Sequence, residues 1–245
     1  MEPFILQIAQ LVTQVHPLFF STREYCRRYL IELPPELDIV VSPQDLLQEQ
    51  KMAELEAVEE GLRIRKFSDP FLERAVIQRK IARELIGRNT ILLHGSTVAV
   101  DGLAYLFTAP CGTGKSTHTR LWREVFGDRA VMVNDDRAFL RITDDGVIAY
   151  GSPWSGKHGL DTNISLPLKG ICFLRRGPEN RIRRAPGADC INELQHQCFL
   201  PEDTHGQDMA CALVDRLSRL GALWQMECAK DPAAARLSHQ AMSAV

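Results

Sequence analysis

Residues 109–117 have the sequence Ala109-Pro110-Cys111-Gly112-Thr113-Gly114-Lys115-Ser116-Thr117. They match the Walker A pattern G-x-x-x-x-G-K-[ST], except that Ala109 stands in place of the first glycine. Glycines at 112 and 114 can adopt φ > 0 and bring the backbone close to a phosphate, where their N–H groups form an anion-binding nest with those of a following helix. Lys115 can supply a positive charge to the β and γ oxygens, and Ser116 a hydroxyl ligand to Mg²⁺. All nine residues are therefore predicted to bind nucleotide phosphates.

The segments on either side of this loop have the expected character. Leu103–Thr108 is a short apolar run that predicts a buried strand. Ser116–Phe126 predicts a helix that ends at Gly127, because its apolar residues fall on one face. A strand, a glycine-rich turn and a helix in this order are the context that a phosphate loop requires.

An acidic pair, Asp135-Asp136, follows a second apolar run, Ala130–Val133, twenty residues after Lys115. A carboxylate at a strand end beside a phosphate loop is the usual ligand for Mg²⁺ or its waters. A second carboxylate could accept the proton of an attacking hydroxyl as a general base. The pair therefore predicts metal binding and base catalysis, and the sequence does not decide which aspartate has which role.

The remaining pattern predicts an α/β fold with a mixed central sheet and an N-terminal, partly helical appendage. In the appendage, residues 1–88, Phe4–Val15 could be strand or helix, Leu37–Val41 reads as a strand, Gln44–Glu60 as an exposed helix, and Asp69-Pro70 as the start of a helix that ends near Gly87. The catalytic domain is predicted to span residues 89–245.

Hairpins in the second region favour a mixed rather than a parallel sheet. Its further predicted elements are a β-rich segment Ile91–Val100, a turn at Asp101-Gly102, a type I′ turn at Asp145-Gly146, strands at Gly170–Leu174 and Trp224–Cys228, a helix at Gln207–Leu220, and a terminal helix from Pro232.

Composition argues against several classes of protein. The chain has 245 residues, 45 % of them hydrophobic, which is ordinary for a globular protein, and a formal net charge of -2, which does not favour a nucleic-acid binder. A basic cluster at residues 181–184 is interpreted as a solvated loop. No apolar stretch approaches the roughly 20 residues of a membrane span, and Glu2-Pro3 stands where a signal peptide would be basic. The seven cysteines include no C-x-x-C pair, which argues against a zinc site. We expect a cytoplasmic protein with reduced thiols.

A second polar, glycine-rich loop occupies residues 151–159. Trp154 could offer a stacking face to a substrate, and Lys157 could pair with a phosphate or a carboxylate. Arg176, at the end of a predicted strand, could stabilise charge on a transferring phosphoryl group. These three are candidate substrate-binding residues.

The loop and the acidic pair together resemble the catalytic core of HPr kinase/phosphorylase, a family with a histidine 21 residues before the loop lysine, as His94 is here. The resemblance covers about Leu92 to Leu140 and includes Asn134-Asp135-Asp136-Arg137, which is similar to the family's Ala-Asp-Asp-Arg motif. The run Gly112–Thr117 is also similar to the kinase loop of ATP-dependent phosphoenolpyruvate carboxykinase, which has the same core fold.

This resemblance implies ATP and Mg²⁺ as cofactors and a role for each site residue. Lys115 and the loop amides would bind the ATP phosphates. Ser116 and one of Asp135 or Asp136 would hold Mg²⁺. The other aspartate would be the base, and His94 would lie near it and orient it.

The chain also departs from the HPr enzymes. Thr117 stands where they have glutamate, and their downstream signature segment, which serves phosphorolysis and protein docking, has no copy here. The chain looks closer to stand-alone HPr-kinase-like proteins that resemble peptide-tailoring serine kinases. The implied activity is transfer of the γ-phosphoryl group to a serine of a peptide or protein. A small-molecule kinase and a nucleotide-binding switch or assembly factor stay open as alternatives, as does a homo-oligomer.

Overall fold

The structure is a computed structural model that describes residues 1–59, 61 and 63–244. The chain divides into two compact units, Met1–Glu84 and Leu85–Val245.

The first unit combines a three-stranded sheet with three helices. The elements are β1 (Phe4–Ile8), β2 (Leu11–His16), α1 (Phe20–Tyr25), β3 (Leu37–Val40), α2 (Pro43–Glu59) and α3 (Asp69–Ile86), whose last two residues belong to the second unit. The strand order is β1-β2-β3; β1 and β2 are antiparallel, and β2 and β3 are parallel.

The segment Phe4–Val15, which the sequence left open, is a β-hairpin. Its two turn residues, Ala9 and Gln10, both have positive φ (44° and 65°), as a type I′ turn requires. Neither residue is a glycine or an asparagine, so the turn carried no sequence signal. The predicted strand at 37–41 and the predicted helix from residue 69 are confirmed, and α2 is mostly exposed as predicted, although Glu60 lies outside the described residues.

A buried carboxylate holds the start of α1. Glu73, on α3, is fully buried and accepts hydrogen bonds from the backbone N–H groups of Leu18 and Phe19 and from the Thr22 hydroxyl. These N–H groups lie just before the first helical residue, Phe20, and have no partner within the helix. Glu73 therefore caps the entry to α1.

The second unit contains one large mixed sheet and four helices. Its elements are β4 (Thr90–His94), β5 (Ser96–Val100), β6 (Leu103–Thr108), α4 (Lys115–Phe126), β7 (Ala130–Asn134), β8 (Arg137–Ile142), β9 (Val147–Tyr150), β10 (Ser165–Arg176), β11 (Arg181–Arg184), α5 (Gly187–Gln197), α6 (Thr204–Leu220), β12 (Leu223–Cys228) and α7 (Pro232–Ser243). The mixed α/β class predicted from the sequence is confirmed.

The nine strands follow the order β4-β8-β9-β10-β6-β5-β7, and β12 joins β10 to β11. β10 runs parallel to both β6 and β12. The other pairs in this sheet are antiparallel. Two apolar cores lie on the two faces of the sheet. Side chains of α5 and α6 fill one, and side chains of α4 and α7 fill the other.

Two local predictions in the second unit are corrected. The hairpin at Asp145-Gly146 exists, but its turn is not type I′, because Asp145 does not have positive φ. The turn with positive φ at both positions is Asp101-Gly102, between β5 and β6. The basic cluster at 181–184 is a strand, β11, rather than a loop, because it pairs with β12 at an edge of the sheet, where exposed charges discourage further pairing. Helix α5 was not predicted.

None of the helices in the described ranges is long and apolar enough to cross a membrane.

We expect Glu73→Ala to lower the free energy of unfolding by about 2–4 kcal/mol, because it leaves buried N–H donors at the start of α1 without an acceptor. Urea denaturation of the full chain, followed by circular dichroism, measures the change. Glu32→Ala, an exposed position, is the control and should stay within about 0.5 kcal/mol of the parent. Equal stabilities of the two variants would contradict the capping role.

Candidate active site

The predicted site residues converge on one edge of the large sheet. Because β6, β10 and β12 are parallel, their carboxyl ends meet at this edge. Strand β5 is antiparallel to both β6 and β7, so the start of β5 and the end of β7 lie there as well. The loop 109–117 follows β6, and the acidic pair follows β7. The strand pairing therefore places the loop beside the two aspartates.

The phosphate loop, residues 109–117, is open beside its two glycines. Gly112 and Gly114 have φ of +75° and +125°, and a Cβ at either position would meet no heavy atom within 4 Å. Lys115, the first residue of α4, is buried, and its Nζ donates to the carbonyl of Ala109 at 2.8 Å and to that of Pro110 at 3.4 Å. The lysine thus folds back over its own loop, and the space beside the two glycines is open.

Arg176 supports the loop from the neighbouring strand. It is the last residue of β10 and is exposed. Its Nε donates to the carbonyl of Thr113 at 3.0 Å, and its Nη2 donates to that of Gly112. The guanidinium therefore binds two carbonyls of the phosphate loop.

A glycine separates the histidine from the serine that follows it. The β-rich segment predicted at 91–100 is two strands, β4 and β5, which break at Gly95. A Cβ at Gly95 would lie 2.7 Å from Leu106 Cδ2 and 3.0 Å from the carbonyl oxygen of Phe107, so no larger residue fits. The Gly95 N–H donates to the carbonyl of Asp136 at 2.8 Å. This contact holds His94 and Ser96 beside the acidic pair.

The two aspartates have different surroundings. Asp135 is buried and accepts a hydrogen bond from Ser96 Oγ at 2.6 Å, and Ser96 Oγ lies 2.7 Å from Thr119 Oγ1 on α4. Asp136 is half-buried, and its Oδ1 lies 3.7 Å from His94 Nε2. Asp135 is thus locked in a hydroxyl network, whereas Asp136 is open to solvent beside an imidazole.

The protonation states follow from burial and nearby charge. Burial, with the positive charges of Lys115 and Arg137, lowers the pKa of His94 to about 3, against a weaker opposing interaction with Gln197. Burial and the charge of Asp135 raise the pKa of Asp136, and Arg137 and Lys115 oppose that rise. At neutral pH His94 is therefore a neutral imidazole, and its contact with Asp136 is not an ion pair.

Asn134, the last residue of β7, organises the turn that carries the aspartates. Its Oδ1 accepts from the backbone N–H groups of Asp136 (2.9 Å) and Arg137 (2.7 Å). Its Nδ2 donates to the carbonyls of Ser152 (3.0 Å) and Trp154 (3.2 Å). One fully buried amide thus connects the acidic turn with the loop 151–159.

The loop 151–159 contacts Asp136 through Gly156, and not through the predicted residue Trp154. Trp154 is only 6 % exposed, and its ring packs edge-on against Phe139 with 6.4 Å between centroids. The prediction of an exposed stacking face at Trp154 is therefore wrong, since the ring serves the core. Gly156 lies against Asp136, because a Cβ there would be 3.2 Å from Asp136 Cβ. Lys157, next to it, is exposed.

The structure brings together nearly all of the predicted site residues. Loop residues 109–117, His94, Asp135, Asp136 and Arg176 share the edge, and Lys157 follows the glycine that touches Asp136. Ser96 and Thr119 were not predicted, because their hydroxyls contact residues that are distant in the sequence. Sequence reasoning used Asn134 only as part of a motif, although an asparagine just before an acidic turn is a residue type that bonds to nearby backbone. Among the described residues, no cluster of three or more His, Cys, Asp or Glu side chains could hold a metal.

Comparisons with known proteins show a distant structural resemblance. No protein-family model and no curated protein matches this chain. Among solved structures, part of the chain is similar to the Hpr(Ser) kinase/phosphatase from Coxiella burnetii at 15% identity; the match covers 39% of this chain and 71% of that chain, with a TM-score of 0.27.

We expect Ser96→Ala to destabilise the protein by about 1–3 kcal/mol, because it leaves the buried Asp135 carboxylate without its hydroxyl donor. The matched control is the neighbouring Thr97→Val: the Thr97 hydroxyl is buried and has no hydrogen-bond partner among the described residues, so its loss should be neutral or stabilising. Urea denaturation compares the two. A larger loss for Thr97→Val would contradict this assignment.

We expect Arg137→Gln to raise the pKa of Asp136 further, because Arg137 is the stronger of the two cations that hold it down. A titration of the Asp136 carboxyl carbon by ¹³C NMR should then show a midpoint at higher pH than in the parent. Arg120→Gln, an exposed position on α4 paired with Glu124, should leave the midpoint unchanged. A downward shift in Arg137→Gln would disprove the electrostatic coupling.

Proposed function

We propose that this chain transfers the γ-phosphoryl group of ATP to a hydroxyl, with a serine of a peptide or protein as the acceptor. One observation carries the proposal: a half-buried carboxylate, Asp136, lies 3.7 Å from the neutral imidazole of His94, at the same sheet edge as the glycine-rich loop with its buried lysine. The motifs between Leu92 and Leu140 resemble those of the HPr kinase core, and this resemblance supports the same chemistry and the same core fold.

The loop residues fit a nucleoside triphosphate. The space beside the two glycines is open, and α4 begins at Lys115 with its first N–H groups directed toward the loop. Ser116 and Asp135 would hold Mg²⁺, which keeps several waters and needs few protein ligands. ATP would supply the phosphoryl group, and Mg²⁺ would offset the charge of its phosphates.

The chain's own residues then divide the work. Lys115 and the loop N–H groups would hold the phosphate oxygens. Asp136 is the better base, because its pKa is raised and its carboxylate is accessible, whereas Asp135 is buried and bonded to Ser96. His94, with a neutral ring, would orient the Asp136 carboxylate without pairing with it as a cation. The proton of the acceptor hydroxyl would pass to Asp136.

The acceptor would approach along the loop 151–159. Gly156 has no side chain beside Asp136, which leaves a path to the carboxylate, and Lys157 is exposed next to it. A peptide chain needs such an open approach, whereas a small-molecule kinase would enclose its substrate.

The proposal is tested by phosphoryl transfer from γ-labelled ATP with Mg²⁺ to a library of serine-bearing peptides. We expect label on peptide serine. Asp136→Asn should reduce transfer by about 100-fold or more and change ATP affinity less than about 3-fold, because only the base is lost. Lys115→Ala should abolish both binding and transfer.

Asp135→Asn is the matched control, because it removes the neighbouring carboxylate. Its transfer should be rescued in part by raised Mg²⁺, and that of Asp136→Asn should not. ATP binding without transfer to any peptide would favour a small-molecule kinase or a nucleotide switch, and equal transfer by Asp136→Asn and the parent would refute the base assignment.

A further inference from the structure

The phosphate loop has two dissimilar sides along the sheet edge. On one side, β5 begins at Ser96 and the acidic pair follows β7. On the other, β10 and β12 end in Arg176 and Cys228. If the proposed function is correct, the γ-phosphate lies toward Asp136, because the acceptor hydroxyl must reach both. A linear triphosphate that follows the loop then directs its nucleoside toward β10 and β12.

A crevice is present on that second side, between α4 and the segment that follows β12. It is lined by Thr117, Leu121, Leu174, Arg176, Cys228 and Lys230. Thr117 belongs to the loop motif and to the first turn of α4, so the crevice begins where the phosphate loop ends. The enclosed volume of the crevice is about 30 Å³, which holds no more than a water. A nucleoside would therefore lie across the mouth.

The lining suits a nucleobase. Leu121 and Leu174 give an apolar floor, and Arg176 and Lys230 give two exposed cations at the rim. The Arg176 guanidinium is fixed in plane by the carbonyls of Gly112 and Thr113, and a fixed guanidinium is a good surface for an aromatic ring to stack on.

A buried imidazole adds an unpartnered polar atom at the same place. His118, a further lining residue, is 2 % exposed, and its Nε2 lies 3.2 Å from Trp122 Nε1 and 3.1 Å from Ser238 Oγ. Its other ring nitrogen, Nδ1, is buried and has no hydrogen-bond partner among the described residues. A buried polar atom without a partner is costly, and a bound polar group or a trapped water would satisfy it.

We infer that the crevice between α4 and residues 228–230 is the nucleoside site, and that the nucleotide lies across the loop with its base at Arg176 and Cys228 and its γ-phosphate at Asp136. This inference rests on the proposed function. It assigns ligand contacts to residues outside the loop motif.

Two natural cysteines report the two parts of the site separately. Cys111 is exposed within the phosphate loop, and Cys228 is half-buried in the crevice. Burial and the charges of Asp231 and Glu227 raise the pKa of Cys228, so alkylation should run at about pH 9, where more of its thiolate is present. Iodoacetamide labelling of the wild-type chain, read residue by residue by mass spectrometry, is compared without ligand, with Mg²⁺-ATP and with Mg²⁺-tripolyphosphate. Cys211, half-buried on α6, is the internal reference.

We expect both ligands to slow Cys111 and only ATP to slow Cys228, each by about 10-fold at ten times the dissociation constant. Slowing of Cys111 alone, or equal slowing of Cys228 by tripolyphosphate, would overturn the nucleoside site and leave the proposed function standing. If neither cysteine responds to either ligand, the proposed function fails and the inference fails with it.

If Cys228 does not react even without ligand, a variant tests the same inference by ligand affinity. Ala229→Trp fills the mouth of the crevice and should weaken ATP binding by about 10-fold or more while tripolyphosphate binds as in the parent. Ala188→Trp, an exposed position on α5 that does not line the crevice, should change neither affinity. Equal changes for the two ligands in Ala229→Trp would count against the inference.

Discussion

The side-chain amide of Asn134 bonds in two directions at the end of β7. Its oxygen accepts the N–H groups of Asp136 and Arg137, and its nitrogen donates to carbonyls of the loop 151–159. An asparagine is one of few residues that can do both at once, since its side chain carries an acceptor and two donors. The acidic turn and the loop 151–159 therefore keep a fixed spacing, and the position of Asp136 relative to Gly156 depends on this amide. An aspartate at 134 would lack the donor, and a leucine would lack both.

Two cations shape the electrostatics around this turn. Burial, together with the charges of Lys115 and Arg137, lowers the pKa of His94, and the same two cations oppose the rise that burial causes in the pKa of Asp136. A neutral imidazole beside a carboxylate cannot neutralise it, so Asp136 keeps its capacity to accept a proton. The two aspartates differ in their surroundings, because Asp135 accepts a hydrogen bond from the Ser96 hydroxyl and Asp136 faces solvent. Adjacent residues with the same chemistry can thus differ in pKa and accessibility.

Sequence patterns predicted the secondary-structure elements that local interactions determine. The strand and helix around the loop, the α3 helix and the mixed class follow from apolar spacing and turn residues, and the structure agrees. The β1–β2 turn at Ala9-Gln10 and the length of β10 could not be predicted, because the first has no turn residues and the second depends on partners distant in sequence. In the site, motif spacing pointed to Lys115 and the acidic pair. Ser96 and Thr119 act through contacts across 39 and 23 residues, which no single segment reveals. The glycine-rich sequence around Trp154 suggested an accessible ring, but such a loop can still bury an aromatic ring.

The length of β10 explains why the loop has two dissimilar sides. A strand of 12 residues pairs with β6 along one edge and with β12 along the other, and it ends at Arg176 beside the phosphate loop. Because Ile171 is paired with both Leu106 and Leu223, β12 cannot lie on the same side of β10 as β6. The antiparallel β5–β7 pair occupies the far side of β6. One edge of the sheet therefore presents hydroxyls and carboxylates on one side of the loop, and an arginine with an apolar floor on the other. A ligand that spans the loop therefore meets side chains of opposite charge at its two ends.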